Sequence, residues 1–503
     1  MTAPNPIPRP LDHLTAFGTS SHAALKCREG ALDYAGLDDA VGRMAAALLE
    51  AGLVAGDRVA SWLPKTRQAC ILPLAAARAG LVHVPINPVL RHTQAAHILH
   101  DSGASLLLSS QSRLDTFVDD DCPQGCVIWL EEEARAAAST VRPLAPSSHA
   151  TETLAAILYT SGSTGRPKGV MLSHGNLWLG AISVAHYLKL APTDRTLCVL
   201  PLGFDYGQNQ LFSTWAAGGC AVPLDYLTAR DVIRAVERHD ITTLAGVPPL
   251  WVQLVEAHWP IETAARLRRL TNSGGALTPS LVRKMQQLFG NADIYPMYGL
   301  TEAFRSTYLD PSLVDAHPDS MGRAIPFAEI LVIRPDGSLA AEGEPGELVH
   351  AGPLVAKGYW HDPARTAERF RPAPGSSEYG GTAVWSGDTV RRDAEGLHYF
   401  VGRDDEMIKV SGNRISPTEI EEAAIASGAT AEVVAIGVPD ERLGQRIVLI
   451  VRGNALHEEK LSSYFKTQLP SFMIPSDIVW RSDLPRNPNG KLDRAAIRAS
   501  ILA

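Results

Sequence analysis

Thr160, Ser161, Ser163 and Thr164 place hydroxyls in the stretch YTSGSTGRPKGV, with Gly162 and Gly165 between them and Lys168 close behind. Clustered glycines mark a loop whose backbone approaches something closely. A loop rich in N–H groups and hydroxyls, with a lysine beside it, is suited to wrapping phosphate oxygens. Two familiar phosphate-binding patterns do not fit. GxxxxGK followed by Ser or Thr fails because Pro167 stands five positions after Gly162, and GxGxxG is not formed. No GxSxG elbow surrounds Ser163 either. On these residues alone an ordinary glycine–serine surface loop stays open beside the phosphate reading.

The elements around this loop alternate. LDDAVGRMAAALLEAGL has helical apolar spacing and ends near glycine, and DRVASWL then reads as a strand. ARAGLVHVPINP, ARDVIRAVERHDITTLAGVPP and LTPSLVRKMQQLFGNADIYPMYG repeat the helix-then-strand order, which predicts α/β layers with largely parallel sheets. From Gly322 to Tyr399 the texture turns to short strands separated by PDG, GEPGE and DAEG turns. The last hundred or so residues form a third texture. ISPTEIEEAAIAS predicts a helix opened by a capping box from Ser416, Pro417 and Glu419, AEVVAIGVP and RIVLIVRG predict strands, and EEKLSSYFKTQLP a further helix.

The 503 residues exceed what one core holds and predict several domains. With 45% hydrophobic and 20% charged residues the composition is that of a globular protein, and a formal net charge of −8 gives no support to a nucleic-acid partner. The 6 cysteines are scattered, Cys122 and Cys126 excepted, as expected of reduced thiols. MTAPNPIPRPLDHL lacks the basic-then-apolar pattern of a signal peptide, and no apolar run has the length of a membrane span, so a cytoplasmic protein is expected.

Further motifs follow the loop in order: NSGGA (Asn272–Ala276), YGLTE (Tyr298–Glu302), WSGDTV, GRDDEMIKVSGNRI and PRNPNGKLDR. Together they resemble the acyl-adenylate-forming superfamily, which includes acyl-CoA synthetases, adenylation domains of nonribosomal peptide synthetases and firefly luciferase. The resemblance covers nearly the whole chain. It implies a large N-terminal domain of layered α/β subdomains with a β-rich subdomain, residues 1–401, and a small mobile α+β domain, residues 402–503. It implies that ATP joins a carboxylic acid to AMP, expelling pyrophosphate, and that a thiol of coenzyme A or of a carrier protein's phosphopantetheine then takes the acyl group.

The same resemblance implies roles residue by residue. Thr160 to Gly165 and Lys168 would face the phosphates, and Gly274, Gly275 and Ala276 the adenine side. Tyr298 and Gly299 would line the nucleotide. Thr301 and Glu302 would handle phosphate and Mg²⁺, which suits a hydroxyl and a carboxylate as hard oxygen donors. Asp388 would hold the ribose, Arg403 and Arg414 would contact phosphate or ribose, and Lys491 would bridge carboxylate and phosphate. Asp405 matches the hinge, and Gly412 the tunnel for the pantetheine thiol.

The acid pocket would draw on Phe204, Asp205, Asn209, Gly246, Ser273, Met297 and Arg305. Here the chain departs from fatty-acyl and aryl ligases. In PLGFDYGQNQ an aspartate, Asp205, stands where those usually show histidine after the aromatic residue. In amino-acid-activating domains the corresponding aspartate holds the α-amino group. Arg305, three positions beyond Glu302, would bind a second carboxylate or pair with Asp205 and leave the pocket neutral. A polar, amino-acid-like acid is expected, with a plain acyl chain against Trp215, Trp251 and Met297 as the alternative. The stretches GFDYGQNQ and YGLTEAFRSTYL also resemble ligases associated with exosortase and exopolysaccharide clusters, which fixes no substrate. Other classes kept open are a nucleotide-binding regulator without catalysis, against which Lys491, Glu302 and Thr301 speak, and a luciferase-like adenylating oxidoreductase.

Overall fold

A computed structural model describes residues 3–118, 120–160, 167–403, 406, 408–410, 413–440, 443–469 and 473–502. The helix–strand alternation appears where the apolar spacing predicts it. The helix Tyr34–Glu50 is capped by the Asp33 carboxylate, which accepts from Gly36 N, and buries Leu37, Val41, Met44 and Leu48 along one face. The strand Arg58–Trp62 follows at once.

Among the described residues the strands form three sheets. In the first, six strands run largely parallel and close on an antiparallel hairpin. Its strands Leu154–Thr160 and Lys168–Ser173 pair Thr160 with Lys168. The glycine loop therefore joins the two ends of a hairpin, and its lysine stands at the base.

The second sheet contains fourteen strands. Its parallel half includes Thr243–Gly246, Arg269–Asn272 and Asp293–Tyr298. The β-rich stretch, expected as a subdomain of the large N-terminal domain, continues this same sheet. Met297 and Tyr298 pair antiparallel with Tyr308 and Thr307, and Ser320–Ala324, His398–Arg403, Thr382–Arg392, Pro345–Ala351 and Glu329–Ile333 extend it strand by strand. Short turns permit this, because antiparallel neighbours need no crossover helix.

The third sheet has five strands, with apolar residues on both faces. Val433, Ala435 and Leu449 pack with the helices Pro417–Ala426 and Glu458–Gln468, while Val434, Ile436 and Val448 face Ile497 of the helix Arg494–Leu502. The expected boundary at residue 402 falls inside the strand His398–Arg403. Gly402 and Arg403 pair with Thr389 and Asp388 of the large sheet, whereas Ile408 already belongs to the small core. Ser416 does precede the helix, but it makes no capping bond and its buried hydroxyl has no partner among the described residues. The expected capping box does not form.

Candidate active site

Lys168, Glu302 and Tyr359 form a closed buried triangle. Lys168 Nζ lies 3.1 Å from Glu302 Oε1 and donates to Tyr359 Oη at 2.7 Å, and that hydroxyl donates to Glu302 Oε1 at 2.6 Å. The ammonium also sits 4.2 Å from the Tyr359 ring centre, within cation–π range. Burial alone would raise the Glu302 pKa, but Lys168, the tyrosine hydroxyl and Arg369 outweigh it and hold the carboxyl below the usual range. Burial lowers the Lys168 pKa, opposed by Glu302. Glu302 owes its position to the short helical turn Thr301–Ala303, which follows the strand Asp293–Tyr298.

At the end of that strand Tyr298 donates its hydroxyl to Asp388 Oδ2, and Asp388 is buried on the neighbouring part of the large sheet. The turn at 273–276 is fixed by Asn272, whose Nδ2 donates to Gly275 O at 2.8 Å. Gly274 has φ +80°, and a side chain there would meet Lys491 Cε at 2.3 Å. Lys491 thus passes directly over this backbone, whose positive φ favours glycine. Its ammonium lies 4.9 Å from the Phe204 ring centre. The loop carrying Lys491 is built by Asn487, whose carboxamide oxygen accepts from Asn489 N and Lys491 N. Asn87, in the first part of the chain, donates to Pro488 O at 2.8 Å and to Asn489 Oδ1 at 3.1 Å. The last part of the chain is thereby tied to the cleft.

Beyond Lys491 lies the pocket. Asp205 opens the helix Asp205–Ala216, and its Oδ1 accepts from Thr301 Oγ1 at 3.4 Å. Its Oδ2 is 3.8 Å from Arg305 Nη1, too long for a hydrogen bond. Burial pushes the Asp205 carboxyl up, while Arg305 and Lys491 draw it back. Arg305 reaches Ser273 Oγ at 3.3 Å and stacks over Tyr206. Phe304, the residue before it, has φ +62° and ψ −77°, a strained backbone for a non-glycine residue. Gly299 accommodates this bend, since a side chain on it would meet Arg305 Cα at 2.9 Å.

Of the expected pocket residues, Asn209, Met297 and Arg305 line one small cavity with Tyr206 and Thr243. Gly246 instead packs under the Trp251 indole, and Trp215 is a core residue whose Nε1 donates to Ala24 O. Neither tryptophan lines that cavity, so of the three apolar residues expected along an acyl chain only Met297 does. Ser161 to Gly165, Asp405 and Gly412 lie outside the described residues, as do the side chains of Arg403 and Arg414. The backbone of Arg403 pairs with Asp388, and that of Arg414 with Lys409. Tyr359 and Asn87 were not singled out from sequence. KGYW carries no spacing signal toward Glu302, and a lone asparagine in VPINP carries none toward Asn489.

The chain matches the AMP-binding enzyme family over residues 14–360 and the C-terminal domain of AMP-binding enzymes over residues 419–491. Feruloyl-CoA synthase of an Amycolatopsis species is 32% identical over 489 residues, 95% of this chain and 96% of that protein. The dimodular nonribosomal peptide synthase of Bacillus subtilis is 29% identical across 96% of this chain, which spans 20% of that longer protein. The crystal structure of ATP-bound MatB from Rhodopseudomonas palustris has a TM-score of 0.89 at 27% identity and covers 99% of both chains.

Proposed function

The chain belongs to the family of AMP-binding enzymes and is an AMP-forming acid–thiol ligase, and we propose that it activates a small polar acid whose amino group faces Asp205. In the first step a carboxylate oxygen bonds to the α-phosphorus of ATP, and the bond to pyrophosphate breaks. In the second a thiol attacks the acyl carbon and AMP leaves. Two anions meet in the first step, so donors and cations aimed at the α-phosphate lower its barrier.

Lys491 carries this reading. A lysine near the end of the chain lies over Gly274, beside Phe204 and close enough to Asp205 to lower its pKa. That position suits a fixed charge bridging the acid and the α-phosphate. Lys168 and the hydroxyls and glycines of 160–165 would face the β- and γ-phosphates. Glu302, kept ionised by its neighbours, and the Thr301 hydroxyl are hard oxygen donors that fit Mg²⁺. The ion, when bound, supplies neutralisation of phosphate charge. Asp388 and Tyr298 would hold the ribose, and 274–276 the adenine. Arg403, Arg414, Asp405 and Gly412 belong to the same proposal, as nucleotide contacts, hinge and thiol tunnel.

An amino group at Asp205 answers a physical need. A buried carboxylate without a directly hydrogen-bonded cation is costly, and a bound ammonium offsets that. The acceptor thiol would be that of coenzyme A or of a separate carrier protein, and a binding site for a small acid beside ATP defines the remaining partners. No described helix is long and apolar enough to cross a membrane.

Acid-dependent ATP–pyrophosphate exchange tests the reading, with amino acids, dicarboxylic acids and fatty or aryl acids as substrates. Exchange that needs an amino acid, and falls on Asp205→Ala, is the expected result. Exchange with simple acyl acids alone would overturn the amino-group assignment and leave Asp205 as the partner of Arg305. Exchange with no acid of any class would overturn the ligase. Mass spectrometry of products formed with coenzyme A then identifies the acceptor.

A further inference from the structure

Three buried polar atoms on one small cavity, which Arg305 joins to Asp205, lack hydrogen-bond partners among the described residues. Asn209, Thr243 and Arg305 are each 2% exposed. Asn209 Nδ2, Thr243 Oγ1 and Arg305 Nε have no hydrogen-bond partner among the described residues. All three side chains line the same cavity of about 20 Å³, room for about one water-sized group. The first and third are obligate donors, and the hydroxyl can donate. An isolated buried donor is destabilising, so three on one cavity form a set that an acceptor would satisfy.

The charges narrow what that acceptor is. Asp205 and Arg305 cancel each other but stand 3.8 Å apart, without a direct hydrogen bond. Asp205 faces the reacting end through Thr301, and Arg305 faces the inner end beside Asn209 and Thr243. The guanidinium stacks over the Tyr206 ring, 4.6 Å from its centre, while staying within ion-pair range of the aspartate. A ligand that places an ammonium by Asp205 and a carboxylate by Arg305, in addition to the carboxylate that reacts, satisfies both charges and all three donors. An uncharged apolar tail satisfies neither.

We infer that the acid is an amino acid with a short side chain ending in a carboxylate, read by Arg305, Asn209 and Thr243. This rests on the ligase reading for the placement of the reacting carboxyl, but its test does not require turnover. Calorimetric titration of the AMP-loaded protein with aspartate, glutamate, asparagine, leucine and succinate measures binding directly. Aspartate or glutamate should bind at least about tenfold more tightly than leucine, the apolar near-isostere of aspartate and asparagine. Arg305→Met should abolish that preference while leaving leucine binding within about threefold. Asn209→Leu and Thr243→Val, which preserve shape, should each reduce it several-fold and guard against a folding defect in the arginine variant.

Leucine binding as tightly as both acidic amino acids would overturn the inference, as would equal losses for aspartate and leucine in Arg305→Met. Asparagine binding as tightly as aspartate would overturn the carboxylate and leave a neutral acceptor. Succinate matching aspartate would support the inner carboxylate site while overturning the amino group at Asp205. Failure of every acceptor-bearing acid to bind overturns the inference whatever the exchange assay shows. Binding of aspartate without pyrophosphate exchange upholds the subsite and overturns the ligase.

Discussion

The two ends of the cleft are built to opposite rules. At the Lys168–Glu302–Tyr359 end every polar group named has a close partner, and the cluster is complete before any ligand arrives. At the Asp205–Arg305 end the charges stand apart and three donors on one cavity lack partners among the described residues. A preformed cluster suits a co-substrate that never changes, because organised charges need no rearrangement during the reaction. An incompletely paired pocket discriminates, because only the right ligand relieves its desolvation. On the proposed function the triangle would contribute to rate and stability, and the pocket to choice.

The largest effect should come from Lys491, which lies over Gly274 and beside Phe204. Lys491→Ala should lower pyrophosphate exchange by at least about a hundredfold, the scale of losing one transition-state donor, with ATP binding measured by calorimetry nearly unchanged. Retained exchange would detach Lys491 from the first step. Next, Asp205→Asn should raise the KM for an amino acid by about tenfold to a hundredfold, the scale of losing a charged hydrogen bond, and change kcat less. An equal fall of kcat for all acids would make Asp205 a structural residue and erase the contrast between the two ends.

Tyr359→Phe sharpens the contrast from the other side. It removes a hydrogen bond to a buried carboxylate and should cost about 1–3 kcal/mol at neutral pH, read as a lower Tm, with acid preference unchanged. The sign with pH follows from Glu302. Its pKa in the folded protein is depressed, so its contribution is fully present above the ordinary glutamate value of about 4.3 and is lost as pH falls through the lower folded value. The wild-type advantage in Tm over Tyr359→Phe should therefore be greatest above that value and shrink toward lower pH. The smallest effect is expected for Asn87→Ala, which frees the Lys491 loop from the large domain. A loss of about threefold to tenfold in exchange, recovered in part by Asn87→Ser, corresponds to about 1 kcal/mol of lost positioning. No change would show that the loop holds its place without this tie.

Residue chemistry and order determined much of this protein. The phosphate-loop candidate, the helix–strand alternation and the lysine motif near the end are local patterns, and local patterns survive in sequence because a helix needs only its own periodicity and a turn only its own residues. Asp205 and Arg305 were legible only against the family resemblance, as a charge where other ligases usually show histidine and a charge where the acid pocket is lined.

The tertiary structure decided the rest. Tyr359 meets Glu302 across 57 positions, and Asn87 meets Asn489 across 402. No spacing announces a contact made by separate strands and loops brought together in space. Sheet continuity was invisible for a related reason, since strand pairing is chosen between segments and not within them. The sequence also showed Trp215 and Trp251 as equal candidates with Met297 for an apolar wall. Folding buries both tryptophans in the core and leaves Met297 at the cavity, because the direction in which a side chain points depends on the element it stands on and on what packs against it. The sequence left open whether Arg305 pairs with Asp205; only the tertiary structure places its guanidinium 3.8 Å from that carboxylate and also on Ser273 and the Tyr206 ring.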